Sequence, residues 1–257
     1  MKKELRDFKV KSLSKLHGNY GLLKLTPEDG GKIGEVLPGQ FVQVRVDNSK
    51  STFLRRPISV NFVDYDNNEL WLLVRSAGEG TRHLLETRPG ETINLMYPLG
   101  NMFTLPRDLN EKILLVGGGV GVAPMLYFGS FLKNRGYNPK FLLGARTSQD
   151  VLMLEEFEKY GEVFVSTDDG SLGDKGIVTL NHALGYEWDR IYCCGPAPMM
   201  KAIASKAKET DTECEVSLEN MMACGLGACL CCVEKTVKGN VCVCTEGPVF
   251  NIKDLTW

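Results

Sequence analysis

The first 192 residues contain no cysteine, and the whole chain of 257 residues has only three histidines. His17, His83 and His182 are scattered along it, and no residue stands out as a general acid or base. A basic excess is also missing. Thirty Lys and Arg stand against 32 Asp and Glu, a formal net charge of −2. Nucleic-acid binders carry a cationic footprint, so no nucleic-acid partner is expected. The opening MKKELRDFKVK alternates charged and apolar residues without a hydrophobic run or cleavage site. A secretory leader is therefore not expected, and a cytoplasmic protein is. From Ile113 to Leu132 there is no charge, yet that stretch holds five glycines and Pro124. It reads as a buried strand, a glycine loop and a helix start, and no membrane span is expected.

What is present is ordinary in bulk and unusual in one place. Hydrophobic residues make up 43%, too many for a disordered chain, and the length suits about two domains. Nine cysteines are crowded toward the end, seven of them between Cys214 and Cys244. In a reducing compartment disulfides are rare and clustered thiols hold metal.

Residues 1–100 read as β-rich. Alternating runs recur at Phe8–Leu16, Tyr20–Leu25, Phe41–Val46, Ile58–Phe62, Leu70–Val74 and Thr92–Met96, with turn signals between them, among them Asp47-Asn48-Ser49. Short strands at this spacing predict a small antiparallel β-barrel or sandwich. A short helix is expected over Arg82–Glu86, capped by Thr81. Tyr97-Pro98-Leu99-Gly100-Asn101 reads as a linker. After it, apolar strands at Lys112–Val116, Lys140–Leu143, Glu162–Ser166 and Arg190–Cys194 alternate with helices at Ala123–Lys133, Val151–Lys159 and Pro198–Lys208. That alternation predicts an α/β domain with a parallel sheet covered on both faces. The expected division is 1–100 for the barrel, 101–211 for the α/β domain and 212–257 for a small cysteine-rich segment.

Cys224, Cys229 and Cys232 give C-x4-C-x2-C with a further cysteine downstream, the plant-type 2Fe–2S spacing. Gly225 and Gly227 permit the tight wrapping such a loop needs. Structural zinc is the competing reading, but it favours paired C-x2-C units and only one is present. The fourth thiolate is expected from the Val241–Cys244 strand. Cys242 and Cys244 would share a face of that strand, so spacing alone does not choose between them. Cys193, Cys194 and Cys214 read as small buried residues in strands.

Two glycine turns mark a nucleotide site. Ile113-Leu114-Leu115-Val116-Gly117-Gly118-Gly119-Val120-Gly121 is strand, glycine turn and helix start, where free N–H groups meet an anion. The acidic residue of the usual dinucleotide fingerprint is replaced by Gly144-Ala145-Arg146. Cys194-Gly195-Pro196-Ala197-Pro198-Met199 forms a second such turn, expected at the same sheet edge. In the β-rich half, Arg55-Arg56-Pro57-Ile58-Ser59 offers a guanidinium fork for a phosphate and Gly78-Glu79-Gly80-Thr81 a second anion loop.

In this order R-P-I-S, G-E-G-T, G-G-G-V-G-V-A-P and C-G-P-x-P-M resemble the ferredoxin–NADP reductase superfamily. The C-terminal C-G-x-G-A-C-x-x-C…C-x-E-G-P-V-F narrows the resemblance to the electron-transfer subunits of dihydroorotate dehydrogenase B, over nearly the whole chain. The resemblance implies FAD on the barrel, NAD on the α/β domain and a 2Fe–2S cluster at the C-terminal segment. It implies that Arg56, Pro57, Ile58, Ser59, Leu73, Val74 and Arg75 contact FAD and that Gly80 and Thr81 hold its pyrophosphate. Gly117, Gly118, Gly119, Gly121, Cys194 and Gly195 would serve the nicotinamide nucleotide. Cys224, Cys229, Cys232 and Cys244 would be the cluster ligands, with Cys231 and Cys242 as extras. The implied partner is an FMN-containing catalytic subunit that oxidises dihydroorotate in pyrimidine synthesis, in a heterotetramer of two chains of each kind. The competing reading is an NAD(P)H:ferredoxin-type oxidoreductase subunit serving another flavoprotein or hydrogenase complex. Asp168 and Asp169 would favour NAD over NADP if they lie near the ribose.

Overall fold

The structure is a computed structural model that describes residues 2–47, 49 and 51–257. Asn48, in one expected turn, lies outside the described residues. Two compact units are present. One runs to Met102 and includes 220–234 and 240–248; the other holds 103–219, 235–239 and 249–257.

The first unit contains β1 (Glu4–Lys15), β2 (Tyr20–Pro27), β3 (Phe41–Val44), β4 (Arg56–Asp64), β5 (Glu69–Arg75), α1 (Glu79–Leu84) and β6 (Thr92–Leu99). The six strands close into an antiparallel barrel in the order β1-β2-β5-β4-β3-β6. Period-two patterning drives this. On β1, Phe8 and Val10 are buried while Asp7, Lys9 and Lys11 face out. Closure removes the sheet edges that would otherwise be open to pairing. Two expectations need correction. The helix begins at Glu79 with Gly78 as its N-cap, and Thr81 sits inside the first turn. There its Oγ1 accepts the N–H groups of Ala77 and Gly78 at 2.9 and 3.1 Å. The expected linker begins as strand: Tyr97 pairs with Glu4 and Leu99 with Phe41. Pro98 is tolerated there because it sits near a strand end.

The second unit contains β7 (Ile113–Gly118), α2 (Val122–Lys133), β8 (Pro139–Ala145), α3 (Leu154–Glu158), β9 (Val163–Thr167), β10 (Asp174–Lys175), β11 (Arg190–Cys194), α4 (Ala197–Glu209) and β12 (Glu213–Ser217). The chain then gives β13 (Val233–Thr236), β14 (Gly239–Cys242), α5 (Val243–Glu246) and β15 (Val249–Asn251). The sheet has seven strands in the order β10-β9-β8-β7-β11-β12-β15. All its pairings are parallel except β12 with β15. The central strands β7 and β11 are buried at every position, as expected under covering helices. Gly129 of α2 lies over the Phe141 ring, which lets that helix sit close to the sheet.

The stretch 212–257 contributes to both units. Its first strand, β12, and its last, β15, extend the seven-stranded sheet, while 220–234 and 240–248 pack with the barrel. Sequence patterning did not mark β12 or β15, because five and three residues are too few for a period to show. Among the described residues no helix is long and apolar enough to cross a membrane.

Candidate cofactor sites

The cysteine loop lies against the barrel at β3 and β6. A Cβ on Gly225 would sit 2.9 Å from Gln43 Cγ and 3.2 Å from Leu99 Cδ1. Gly225 and Gly227 have φ of +69° and +79°, a left-handed geometry that glycine adopts without strain. The end of the segment is tied down nearby. Asn101 N–H donates to the Gly247 carbonyl at 2.7 Å, and Asn101 Nδ2 donates to the Glu246 carbonyl at 2.9 Å.

This wrapping points backbone donors at sulfur. Leu226 N–H donates to Cys224 Sγ at 3.3 Å, Gly227 N–H to Cys244 Sγ at 3.1 Å and Cys244 N–H to Cys232 Sγ at 3.4 Å. The Leu226 N–H is the main reason the Cys224 thiol is lowered to about 6; the backbone and thiol of Cys229 add to it, against some desolvation. Cys244 is pushed up to about 12, chiefly by burial and then by its hydrogen bond with Cys232. Backbone N–H groups thus reach the sulfurs of Cys224, Cys232 and Cys244. Among the described residues no three His, Cys, Asp or Glu side chains converge as a single metal ion requires. Four of the cysteines between 224 and 244, with backbone amides aimed at three of their sulfurs, fit the donor set of a two-iron cluster.

The fourth position differs from the sequence expectation in its local structure. β14 ends at Cys242, and Val243–Glu246 forms the helical turn α5. Cys242 and Cys244 therefore do not share a strand face. Cys244 is fully buried and receives the Gly227 N–H. The Cys242 thiol instead points to the Gly227 carbonyl at 3.8 Å. Cys231 is exposed. Cys193, Cys194 and Cys214 are buried in β11 and β12.

The arginine–proline motif opens β4, and Arg56, Pro57, Ile58 and Ser59 are all half-buried. The two arginines differ. Arg55 is locked into the wall: its guanidinium donates to the Gln43 and Asn94 carbonyls at 3.1 Å each and to Asn94 Oδ1. Arg56 instead curls over the loop, donating to the Leu54 carbonyl at 2.9 Å. It lies beside the second anion loop, since a Cβ on Gly80 would meet Arg56 Nε at 2.8 Å. So Arg56 and Gly80 come together, as a site for a bridging phosphate requires, while the Thr81 hydroxyl is engaged by the backbone of Ala77 and Gly78. Leu73 and Val74 are buried on β5, and Arg75 at its end is exposed.

The two glycine turns of the second unit touch one another. β7 and β11 are neighbours, with Cys194 opposite Gly117. A Cβ on Gly121 would meet the Cys194 carbonyl oxygen at 2.5 Å and Gly195 Cα at 2.6 Å. A Cβ on Gly118 would meet Met199 Sδ at 2.5 Å. Gly119 carries φ +55° in the bend between strand and helix. Glycine at these positions lets two strand ends and two helix starts share one edge, the place where open α/β sheets hold ligands. Cys194 is buried there, its Sγ 4.0 Å from Glu219 Oε1, and burial holds its thiol well above the ordinary range. Asp168 and Asp169 lie just beyond β9, their N–H groups donating to the Ala145 and Arg146 carbonyls at the end of β8. The Asp169 carboxylate is occupied by the Ser171 N–H and hydroxyl.

Comparison with known proteins agrees with this arrangement. Residues 219–256 match a family described as the iron-sulfur cluster binding domain of dihydroorotate dehydrogenase B, and 115–205 match an oxidoreductase NAD-binding domain. The dihydroorotate dehydrogenase B (NAD(+)) electron transfer subunit of Lysinibacillus sphaericus is 39% identical over 254 residues, covering 96% of this chain and 97% of that protein. The chain belongs to that family. The electron transfer subunits of Geobacillus sp. and Fusobacterium nucleatum are 41% and 39% identical, covering 83% and 85% of this chain and 84% and 86% of theirs. Among solved structures, that of an NADH-dependent reduced ferredoxin-NADP oxidoreductase superposes with a TM-score of 0.86 at 30% identity. It covers 97% of this chain and 90% of that one. The flavohem-like FAD/NAD binding domain of a Vibrio cholerae nitric oxide dioxygenase superposes with a TM-score of 0.71 at 20% identity, covering 82% and 98%, and shares the fold. Motif reading missed one residue that packs against the cysteine loop, Gln43, because nothing local to β3 distinguishes it.

Proposed function

We infer that this chain is the electron transfer subunit of an NAD-dependent dihydroorotate dehydrogenase, an oxidoreductase of pyrimidine biosynthesis. It moves electrons between a dihydroorotate-oxidising FMN partner subunit and NAD by way of a 2Fe–2S cluster and FAD. The single observation that carries this reading is the cysteine segment, with three backbone N–H groups aimed at the sulfurs of Cys224, Cys232 and Cys244. Identity near 40% to the named subunits over most of the chain supports it. The net reaction of the complex converts dihydroorotate and NAD(+) to orotate, NADH and a proton.

When bound, FAD supplies the exchange between hydride and single-electron chemistry, and the cluster supplies a one-electron carrier. The chain's own residues bind and orient. Arg56, Gly80 and Thr81 would hold the flavin pyrophosphate, with Pro57, Ile58, Ser59, Leu73, Val74 and Arg75 lining the rest of the site. Gly117, Gly118, Gly119 and Gly121 would admit the dinucleotide to the helix start, with Cys194 and Gly195 closing the same edge. Cys224, Cys229, Cys232 and Cys244 would be the ligands, and the Leu226, Gly227 and Cys244 amides stabilise negative charge on their sulfurs. The domain roles follow: flavin on 1–100, nucleotide on 101–211 and the cluster within 212–257. The assembly is a heterotetramer of two chains of each kind, in the cytoplasm.

The test is reconstitution. The chain co-expressed with a dihydroorotate dehydrogenase catalytic subunit from the same source, and purified anaerobically, should reduce NAD when given dihydroorotate, with a rate that needs both chains. A coloured, NADH-reducible protein that neither binds that subunit nor supports the reaction would move it to another flavoprotein complex.

A further inference from the structure

Gln43 stands in the middle of β3, pairing with Pro57 of β4 on one side and Met96 of β6 on the other. Its side chain is fully buried, and neither its amide nitrogen nor its amide oxygen has a hydrogen-bond partner in the protein. Buried amides are almost always paired, because desolvation without a partner is costly. Gln40, three residues earlier, follows the rule, donating to the Gly100 carbonyl at 2.9 Å and accepting the Leu37 N–H at 2.7 Å. An apolar side chain would fill the Gln43 position without that cost, so the amide calls for a partner from outside the protein's own atoms.

The surroundings say which one. Gln43 Nε2 and Cγ lie 3.2 and 2.9 Å from where a Cβ of Gly225 would stand. The amide thus abuts the residue next to Cys224, from the barrel side. The known donors to sulfur, Leu226, Gly227 and Cys244, all come from the cysteine segment itself. Gln43 is a donor supplied by the barrel wall.

We propose that the Gln43 side-chain amide donates a hydrogen bond to an inorganic sulfide of the iron–sulfur cluster beside Cys224, whose own Sγ it does not reach, and that this bond raises the cluster's reduction potential. The inference rests on the cluster assignment made above. Only the nitrogen end of the amide can serve a sulfur. Reduction adds negative charge to the cluster, so an N–H···S bond strengthens on reduction and favours the reduced form. Gln43 is a positioning residue in this role, since it forms no bond to iron. Its place opposite Pro57 also ties the cluster's environment to the strand that carries the arginine–proline motif.

The experiment is an anaerobic redox titration of the complete chain, following the EPR signal of the reduced cluster, with iron and FAD content measured on the same samples. Gln43→Met keeps the length and removes the donor. It should hold full iron and FAD and show a more negative cluster potential with shifted g values, while the flavin potential stays. Gln43→Asn, which keeps an amide, should move the potential less. An unchanged cluster potential and EPR signal in Gln43→Met at full iron would overturn the proposal, and so would a shift confined to the flavin. A second measurement does not depend on how the variants fold. In the wild-type chain labelled with 15N at glutamine side-chain amides, pulsed EPR on the reduced cluster should detect 15N coupling. Its absence overturns the proposal. A wild-type chain without an iron–sulfur EPR signal would instead overturn the cluster assignment itself.

Discussion

At the scale of single residues, chemistry here depends on spacing as well as burial, since Cys229 and Cys231 are both exposed and only Cys229 fits C-x4-C-x2-C. Cys244 is fully buried and accepts an N–H, whereas Cys231 is exposed. Cys224→Ser and Cys244→Ser should each abolish most bound iron, and Cys231→Ser should leave it near wild type, as read by iron analysis and visible absorbance. Full iron in Cys244→Ser would transfer the fourth position to Cys242. The two arginines divide in the same way. Arg55 donates to two backbone carbonyls and Asn94, so Arg55→Leu should cost stability, about 1–3 kcal/mol for the acceptors it strands. Arg56→Leu should leave the melting temperature within a few degrees and weaken FAD retention on gel filtration roughly tenfold or more, the worth of a charge-assisted phosphate contact. Retained FAD in Arg56→Leu would remove that residue from the flavin site.

At the scale of elements, the nucleotide edge rests on two turns in backbone contact. A methyl on Gly121 would lie 2.5 Å from the Cys194 carbonyl oxygen. Backbone cannot rotate away as a side chain can, so Gly121→Ala must push β7's turn from β11's. Overpacking of this kind costs about 1–3 kcal/mol. Its expected signature is a melting temperature lowered by several degrees and a raised KM for NADH, with iron and FAD content unchanged. An unaltered KM would separate this edge from nucleotide binding.

At the scale of the whole molecule, pH acts through the partly buried ion pair of the second unit. Arg190 Nε donates to Glu111 Oε2 at 2.9 Å, their side chains 6% and 15% exposed. Desolvation opposes ionisation of Glu111, but Arg190 and the Arg107 and Asp108 N–H groups together hold its carboxyl below its ordinary 4.5. A depressed carboxyl contributes its stability fully above its unfolded value and loses it as pH falls through the folded value. Unfolding free energy should therefore be steady from neutral pH to about 4.5 and decline below it. Glu111→Gln should flatten that decline. It should also lower stability at pH 7 by about 3 kcal/mol, because Arg190 is left without its charge partner. Denaturant melts at pH 3.5, 4.5 and 7 would show both effects, and an undiminished acid slope in the variant would assign it to other carboxylates.

The sequence by itself determined the classes of element and of cofactor, because those signals are local. Period-two runs marked all six barrel strands, and glycines between a strand and a helix marked the nucleotide edge. A nine-residue window from Cys224 to Cys232 carried the cluster spacing. Boundaries slipped where only packing decides them: Thr81 lies inside its helix, and Tyr97 to Leu99 extend β6. Tertiary structure alone decided that Cys244 sits in a helical turn, apart from Cys242, because a four-residue element has no period to read. It also decided that Arg55 is tied to Asn94 while Arg56 meets Gly80, and that the cysteine segment lies on β3. Those outcomes depend on burial and on partners tens to hundreds of residues away, and Gln43, separated from Gly225 by most of the chain, is the extreme case.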